Sequence, residues 1–242
     1  MSDIEISEQQ RVAILTMKRP GHGNRITQVM AEELIEALDA ARRNPAILGC
    51  VLTGHGDVFC LGGDYQGAGP RIAGRMEFGR AHIDLLDAMA RLGKPLVAAL
   101  NGNAHAGGFA VAVACDLAFV EESATLGLPE IAHGLFPLLA LAIVRDALPK
   151  KVLFDIVYNA RLLGAEEARA LHLVNEVVPR GSAVRRSVAA VEAATRGNPD
   201  ILAIGRDLYY AMRGLSPAEA LDKARFALGS ALGARDERPP SA

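Results

Sequence analysis

Two pairs of consecutive glycines follow short apolar runs and could bring main-chain groups to a ligand. Gly62 and Gly63 come after VFCL, and Gly107 and Gly108 come after LVAALNGNAHA, where they also open a helical pattern. Glycine lets the backbone approach a ligand closely, and the first turn of a helix leaves main-chain N–H groups unpaired. Two such groups directed at one point would form an oxyanion hole, which stabilises negative charge on a carbonyl oxygen.

One glutamate is the candidate for proton transfer beside such a hole. Glu130 lies in the segment LGLPEIAHG, with the apolar neighbours Leu126, Leu128, Ile131, Leu135 and Phe136. An apolar setting disfavours the ionised carboxylate and raises its pKa, which suits a group that moves protons near neutral pH. Without further context, a glutamate after a proline is more often an exposed surface residue.

Two histidines are candidates for a second acid or base, because imidazole titrates near neutral pH. His105 precedes the second glycine pair, and His133 lies three residues after Glu130, about one turn away if the segment is helical. A packed or solvated histidine is the alternative for each. No motif assigns a role to the others: His22, His55, His82 and His172.

Apolar, β-branched runs alternate with helical patterns over the first three quarters of the chain. One helical stripe places Met30, Leu34 and Leu38 on the same face, behind Thr27 as a candidate N-cap. The alternation predicts an α/β fold in which helices connect the strands of a sheet. The predicted strands are 4–6, 12–17, 48–54, 96–100, 117–120 and 174–178.

After about residue 180 only helical patterns continue. Pro199 and Pro217 stand where a first helical turn accepts proline, which delimits helices over 183–197, 199–214 and 217–233. We therefore predict one functional unit in three parts, of which the helical layer is of a kind that often covers another subunit. The parts are an α/β core over 1–180, a helical layer over 181–233 and a flexible tail over 234–242.

The composition indicates a folded globular chain, with 50% apolar and 22% charged residues among 242. A net charge of −2 and the absence of tryptophan argue against a nucleic-acid partner. The longest apolar run, 134–144, is too short to cross a bilayer and is predicted to be a buried helix or loop. The polar, acidic N-terminal residues do not form a signal-peptide pattern, so we expect a cytoplasmic protein without a membrane partner.

Three cysteines, Cys50, Cys60 and Cys115, lie in apolar surroundings at spacings that match no metal motif. We predict reduced core residues and no metal site. The alternative is a reactive thiol at Cys60.

Several ordered motifs together resemble the crotonase superfamily, the enoyl-CoA hydratase/isomerase family. The resemblance extends over nearly the whole chain and implies a spiral of ββα units with a C-terminal helical oligomerisation layer, assembled as a homotrimer or hexamer. It also implies an acyl-CoA thioester as substrate, with coenzyme A as part of that substrate and no other cofactor. The matching segments are 19-RP-20 with Asn24, 52–64, 94–108, 115–137, 164–178 and 216–221.

Carried over by position, the resemblance gives the main-chain N–H groups of Gly63 and Gly107 the role of enolate donors. The residues beside Gly63 are matched to coenzyme A binding: Leu61, Gly62, Asp64 and Tyr65. Arg25 stands where the family more often has alanine, and it could contact the coenzyme A phosphates or be a solvated loop charge. Lys18 and Arg19 carry the same two alternatives.

The match fails where the family's hydratases carry the first of two glutamates. That position is Ala110, while the second glutamate is present as Glu130; a third acid used by some relatives falls near Leu138. One carboxyl can take a proton from one carbon and return it to another, so the resemblance implies Δ3–Δ2 double-bond isomerisation with Glu130 as the single acid/base. Two alternatives stay open: a hydratase in which His105, His133 or a held water replaces the missing glutamate, and a catalytically reduced protein that binds coenzyme A thioesters.

Overall fold

The computed structural model describes residues 2–65 and 72–236, in which ten strands form two sheets. The larger sheet has the order β1-β2-β3-β5-β7-β10, and the smaller has the order β4-β6-β8-β9. The strands are β1 (Ile4–Gln9), β2 (Val12–Met17), β3 (Gly49–Gly54), β4 (Val58–Cys60), β5 (Leu96–Leu100), β6 (Asn103–His105), β7 (Leu117–Glu121), β8 (Thr125–Gly127), β9 (Leu162–Gly164) and β10 (Glu176–Val178).

Nine α-helices occur in the same residues, with two short 3₁₀ helices at Pro20–His22 and Pro129–His133. None of the described helices combines the length and apolar character needed to cross a bilayer. The α-helices are α1 (Gln28–Arg43), α2 (Ile72–Ala90), α3 (Gly107–Ala114), α4 (Leu138–Val144), α5 (Lys150–Tyr158), α6 (Ala165–Ala170), α7 (Ala183–Ala194), α8 (Pro199–Ala211) and α9 (Pro217–Asp236).

Three successive ββα units build the centre of the molecule. The first strand of each unit, β3, β5 or β7, lies in the larger sheet, and the second, β4, β6 or β8, lies in the smaller sheet. Within each set the strands are parallel. Since the carboxyl ends of neighbouring parallel strands lie at one edge of a sheet, the loops that follow β4, β6 and β8 come together.

The smaller sheet corrects the expectation of a single sheet. Its strands have three residues each, too few to show an alternating pattern in the sequence. The larger sheet follows the predicted runs closely, and β3 is buried at every position, as expected for a strand covered on both faces.

Apolar side chains leave the larger sheet on both sides. On one side Val12, Val51 and Val97 pack with Val188 and Val191 of α7. On the other side Leu15, Cys50 and Leu52 join the main core with α1, α2 and α3. The sheet therefore lies between two helical layers.

Helix α1 begins and ends as its sequence indicates. The Thr27 hydroxyl oxygen accepts a hydrogen bond of 2.9 Å from the Met30 N–H, which confirms the predicted N-cap. At the other end, Lys94 Nζ donates to the carbonyl oxygens of Ala41 and Asn44 at 2.6 and 2.7 Å. A cation there complements the negative end of the helix dipole.

Arg206 of α8 joins the C-terminal layer to the core. Its Nε donates to Asp116 Oδ2 at 2.8 Å, and its two Nη atoms donate to the Met89 and Ala90 carbonyl oxygens at 2.8 Å each. Asp116 also accepts a hydrogen bond from the Leu96 N–H at 2.8 Å. The end of α2, the middle of α8 and the beginning of β5 are thus held together by one ion pair.

Two predicted segments differ from the structure. Helix α9 continues to Asp236, three residues past the predicted end of the helical layer, and residues 237–242 of the predicted tail lie outside the described residues. The apolar run 134–144 is only partly buried, since Leu135 and Leu138 are 54% and 75% exposed. Residues 138–144 of this run form the short helix α4, in which Ala140 and Val144 are buried.

The cysteines are free thiols without reactive character. Cys50 and Cys60 are fully buried, and burial raises their pKa values to about 12 and about 11. Burial also raises the pKa of Cys115. The thiolate is the nucleophilic form, so the proposal of a reactive thiol at Cys60 is wrong.

Candidate active site

The loop after β4 is fixed by the segment that precedes α1. The Leu61 N–H donates to the Gly23 carbonyl oxygen at 3.0 Å, and the Ile26 N–H donates to the Gly62 carbonyl oxygen at 2.9 Å. The Gly63 N–H has no acceptor among the described residues. A side chain at Gly63 would place its Cβ 2.6 Å from Phe78 Cζ, so the Phe78 ring of α2 would have to shift to admit it.

The loop after β6 presents a second free N–H group. Ala106 has φ 54° and ψ −126°, a strained conformation for alanine, and its N–H donates to the Gly127 carbonyl oxygen at 2.8 Å. Helix α3 then begins at Gly107, whose N–H has no acceptor in the described part of the chain. Gly108 packs against the main chain of Cys60, where a Cβ would lie 2.7 Å from the carbonyl carbon.

The two free N–H groups lie side by side. A Cβ built on Gly62 would be 3.2 Å from the Gly107 nitrogen, and one built on Gly107 would be 3.5 Å from the Gly63 nitrogen. The positive end of the α3 dipole adds to the potential at this point. The arrangement is suited to hold the oxygen of a polarised carbonyl group.

Glu130 follows β8, the third strand of the parallel set, in the 3₁₀ helix Pro129–His133. Its Oε2 atom is buried and has no hydrogen-bond partner among the described residues, and burial raises the pKa of its carboxyl group. Leu126 and Leu128 are buried as expected, but Ile131 and Leu135 are 40% and 54% exposed. Phe136 is partly buried against the core, so the expected apolar contribution is wrong for Ile131 and Leu135 only.

Tyr65 lies on the same side of the molecule as Glu130. Burial, followed by the charge of Glu130, raises the pKa of the Tyr65 phenol. The Tyr65 ring packs against Phe78, with 4.8 Å between ring centroids. The first glycine loop, α2 and the segment after β8 therefore surround one region.

Helix α3 supplies no carboxylate to this region, since its sequence is GGFAVAVA. Ala110, one turn from the helix start, is 4% exposed, and its N–H donates to the Ala106 carbonyl oxygen at 3.2 Å. Leu138, near the position of a third acid in some relatives, is exposed at the start of α4. The described residues contain no cluster of His, Cys, Asp and Glu suited to hold a metal ion.

The structure does not bring His105 or His133 into a hydrogen bond with Glu130. His105 Nε2 lies 2.9 Å from Thr125 Oγ1, whose hydroxyl donates to Asn103 Oδ1 at 3.0 Å, so the imidazole links β6 to β8. Burial, followed by the charge of Arg25, lowers the pKa of His105. His133 is exposed at the end of the 3₁₀ helix.

The cationic residues near the first loop are engaged with the protein itself. Arg19 Nη1 lies 2.9 Å from Asp64 Oδ2 and donates to the Arg25 carbonyl oxygen at 2.8 Å. Arg25 Nη1 donates to the Leu61 carbonyl oxygen at 2.7 Å. Lys18 Nζ pairs with Glu5 at 2.6 Å. Arg19 and Arg25 thus hold the first loop in place.

His82 of α2 reaches the first loop, which the sequence did not indicate. Its Nε2 lies 3.3 Å from the position of a Cβ on Gly63, and this atom is buried without a hydrogen-bond partner among the described residues. Its Nδ1 lies 3.0 Å from the Phe78 carbonyl oxygen, and the two rings pack with 4.3 Å between centroids. The four-residue spacing of Phe78 and His82 was the available signal, but no motif in this segment fixed the direction of α2.

Comparisons with known proteins agree over almost the whole chain. Residues 7–225 match the family model described as enoyl-CoA hydratase/isomerase. The enoyl-CoA hydratase EchA19 of Mycobacterium tuberculosis is 32% identical over 81% of this chain and 76% of its own. The 2,3-dehydroadipyl-CoA hydratase of Escherichia coli is 30% identical over 82% of this chain and 78% of its own.

Solved structures of similar proteins share the fold. An enoyl-CoA hydratase of Mycobacterium smegmatis superposes with a TM-score of 0.90 at 24% identity, over 95% of this chain and 91% of its own. One from Polaromonas sp. JS666 gives a TM-score of 0.89 at 25% identity, with the same coverage. The predicted α/β spiral of ββα units with a C-terminal helical layer is confirmed.

Proposed function

Because the chain belongs to the enoyl-CoA hydratase/isomerase family, the crotonase superfamily, we propose that this enzyme forms a thioester enolate between its two glycine loops. The N–H groups of Gly63 and Gly107 hold the thioester oxygen, and Glu130 transfers the proton. The support is that two N–H groups, neither with an acceptor in the part of the chain that the structure describes, lie side by side at the edge where Glu130 follows the next parallel strand.

The reaction proposed is the conversion of a 3-enoyl thioester into a 2-enoyl thioester. The Glu130 carboxylate takes a proton from C2, the negative charge moves to the thioester oxygen, and the same carboxyl returns the proton to C4. The observation that carries this proposal is Ala110, because α3 leaves Glu130 without a second carboxylate. Apolar burial suits this proton transfer, since burial raises the pKa of Glu130 towards neutral pH.

The remaining features of the proposal concern binding and assembly. The main chain over 61–65 takes the adenine end of coenzyme A, and the reaction needs no cofactor beyond the coenzyme A of the substrate. The protein assembles as a homotrimer or hexamer, supported by the exposed apolar side chains Leu221 and Phe226 on α9. A cytoplasmic location stays a prediction.

Hydration of a 2-enoyl thioester is the second candidate, favoured by relatives that are named hydratases. His105 gains no support as the replacement for the missing glutamate, because its Nε2 is bonded to Thr125. His133 gains none either, because it is exposed. A chain that binds coenzyme A thioesters with reduced catalysis would show binding without proton exchange.

The test is α-proton exchange into deuterated solvent, with product analysis on 3-enoyl-CoA, for wild type and Glu130→Gln. We expect the variant to lose about 10²-fold or more in both exchange and isomerisation, because the amide cannot transfer the proton. Glu122→Gln, at an exposed glutamate after β7, is the matched control and should keep wild-type rates. Full turnover by Glu130→Gln would overturn the proposal, and binding without exchange in the wild type would favour the reduced protein.

A further inference from the structure

A buried nitrogen without a partner faces the first glycine loop. His82 Nε2 has no hydrogen bond to any described residue, and it lies against Gly63, whose N–H has no acceptor among those residues either. Buried polar atoms in native proteins are paired in the great majority of cases, and an unpaired one is costly. A ligand or water that reaches this nitrogen would supply the missing partner.

The protonation state of this nitrogen follows from its surroundings. Nδ1 lies 3.0 Å from the Phe78 carbonyl oxygen, which can only accept, so Nδ1 carries the hydrogen. Burial lowers the pKa of His82 from its ordinary value of 6.5, and the Phe78 hydrogen bond only partly offsets this. Near pH 7 the ring is neutral, and Nε2 presents a lone pair that can accept a proton.

Two contacts with Phe78 fix the orientation of the His82 ring. The hydrogen bond to Phe78 and the packing of the two rings hold the imidazole plane, as the partner of the other ring nitrogen does in many catalytic histidines. Helices α3 and α4 carry no titratable side chain. The charged groups that act in this region include Glu130 and Arg25, both of which affect the pKa of Tyr65, and Asp64, which is paired with Arg19.

We propose that His82 is a second proton-transfer residue, with which the same site adds water to the 2-enoyl thioester that isomerisation produces. The proposal rests on the proposed function, because it uses the same enolate donors. His82 of α2 thus takes the role of the second acid or base, for which His105 and His133 were the candidates in the sequence. It also gives the chain two proton-transfer groups from different elements, α2 and the segment after β8.

The step is balanced without any further reactant. A water bound at His82 gives one proton to Nε2 while its oxygen forms a bond to C3. The C2–C3 π electrons move towards C1, and the carbonyl π electrons move to the oxygen held by Gly63 and Gly107. The protonated carboxyl of Glu130 then gives a proton to C2 as the carbonyl re-forms, and His82 returns its proton to solvent while Glu130 regains one.

The test compares hydration of crotonyl-CoA with α-proton exchange in wild type and His82→Gln. Glutamine can accept a hydrogen bond but cannot take the proton, so kcat for hydration should fall about 10²-fold or more, with little change in KM. Exchange should stay within a few-fold of wild type, because it depends on Glu130. His172→Gln, at an exposed histidine after α6, is the control and should retain both activities.

The wild-type pH profiles provide a measurement that does not depend on a variant. Hydration requires neutral His82 and protonated Glu130, so it should fall both below the pKa of His82 and above that of Glu130. Exchange requires ionised Glu130, so it should rise with pH to a plateau.

The possible outcomes separate the two proposals. Three outcomes would overturn the role of His82 alone. The wild type could catalyse exchange without hydration, His82→Gln could keep full hydration, or His82→Gln could lose exchange and hydration to the same extent. Absence of both activities in the wild type would overturn the proposed function as well. If His82→Gln does not fold, identical pH profiles for the two wild-type activities would overturn the proposal.

Discussion

The role proposed for Gly107 belongs to its main chain, because its N–H has no acceptor in the described residues and it carries no side chain. Gly107→Pro replaces this donor with the proline ring, at the first position of α3, where proline is often found. We expect kcat for isomerisation to fall about 10²- to 10³-fold, the usual effect of losing one oxyanion donor. Steady-state kinetics with 3-enoyl-CoA would measure this.

The matched variant for this experiment is Gly107→Ala, which keeps the N–H group. Its Cβ would lie 3.5 Å from the Gly62 Cα, an ordinary van der Waals distance, so the loop should keep its conformation. We expect a smaller loss of kcat than in Gly107→Pro. Equal rates for Gly107→Pro and wild type would show that this N–H does not hold the enolate.

At the scale of elements, α3 is placed by its contact with β4. Gly108 packs against the Cys60 main chain. A Cβ added to Gly108 would lie 2.7 Å from the carbonyl carbon of Cys60 and 2.8 Å from the Cβ of Cys60. Backbone atoms of a strand cannot move aside, so the helix would have to shift. The same contact sets the position of the adjacent Gly107 N–H relative to the first loop.

Gly108→Ala should therefore lower the free energy of unfolding by about 1–3 kcal/mol, the usual cost of overpacking a core, and reduce activity with it. Gly205→Ala is the control, because α8 leaves open space around a Cβ at that position. It should raise the free energy of unfolding by about 0.5–1 kcal/mol, since alanine is the better helix former. Urea unfolding checks both values, and equal stability of the two variants would contradict the steric argument.

At the scale of the whole molecule, the C-terminal layer is attached through Arg206. Its side chain is 7% exposed and binds Asp116 and two carbonyl oxygens at the end of α2. Arg206→Ala would leave the Asp116 carboxylate without its cation and the carbonyl groups without a donor. We expect the free energy of unfolding to fall by about 1.5–3 kcal/mol, the usual loss for hydrogen bonds that involve a charged group, since Asp116 is exposed.

Arg213→Ala is the comparison for Arg206, because both guanidinium groups stack on the Tyr210 ring, at 4.6 Å for Arg213 and 4.7 Å for Arg206, but Arg213 is exposed. The free energy of unfolding of Arg213→Ala should fall by about 0.5–1 kcal/mol, as for the loss of an exposed cation–π pair. Thermal or urea unfolding of the two variants measures the difference. Similar losses in both would show that the ionic contact to Asp116 does not hold the layer.

Local patterns determined much of the fold. Six predicted strands match β1, β2, β3, β5, β7 and β10 within a few residues, and Thr27 caps α1 as expected. Such features depend on side-chain periodicity and on hydrogen bonds between near neighbours, which the sequence displays directly. The ordered motifs extended this to the family, which the comparisons confirmed.

The sequence by itself thus determined the fold class, the two glycine loops and Glu130 as the candidate acid. Only the tertiary structure decided that the loops after β4, β6 and β8 meet, because β4, β6 and β8 are too short to show a pattern and their pairing joins distant segments. It alone directed His82 towards Gly63 and bonded His105 to Thr125. The direction of a side chain depends on how its helix or strand packs against others, and this long-range packing leaves no local trace in the chain.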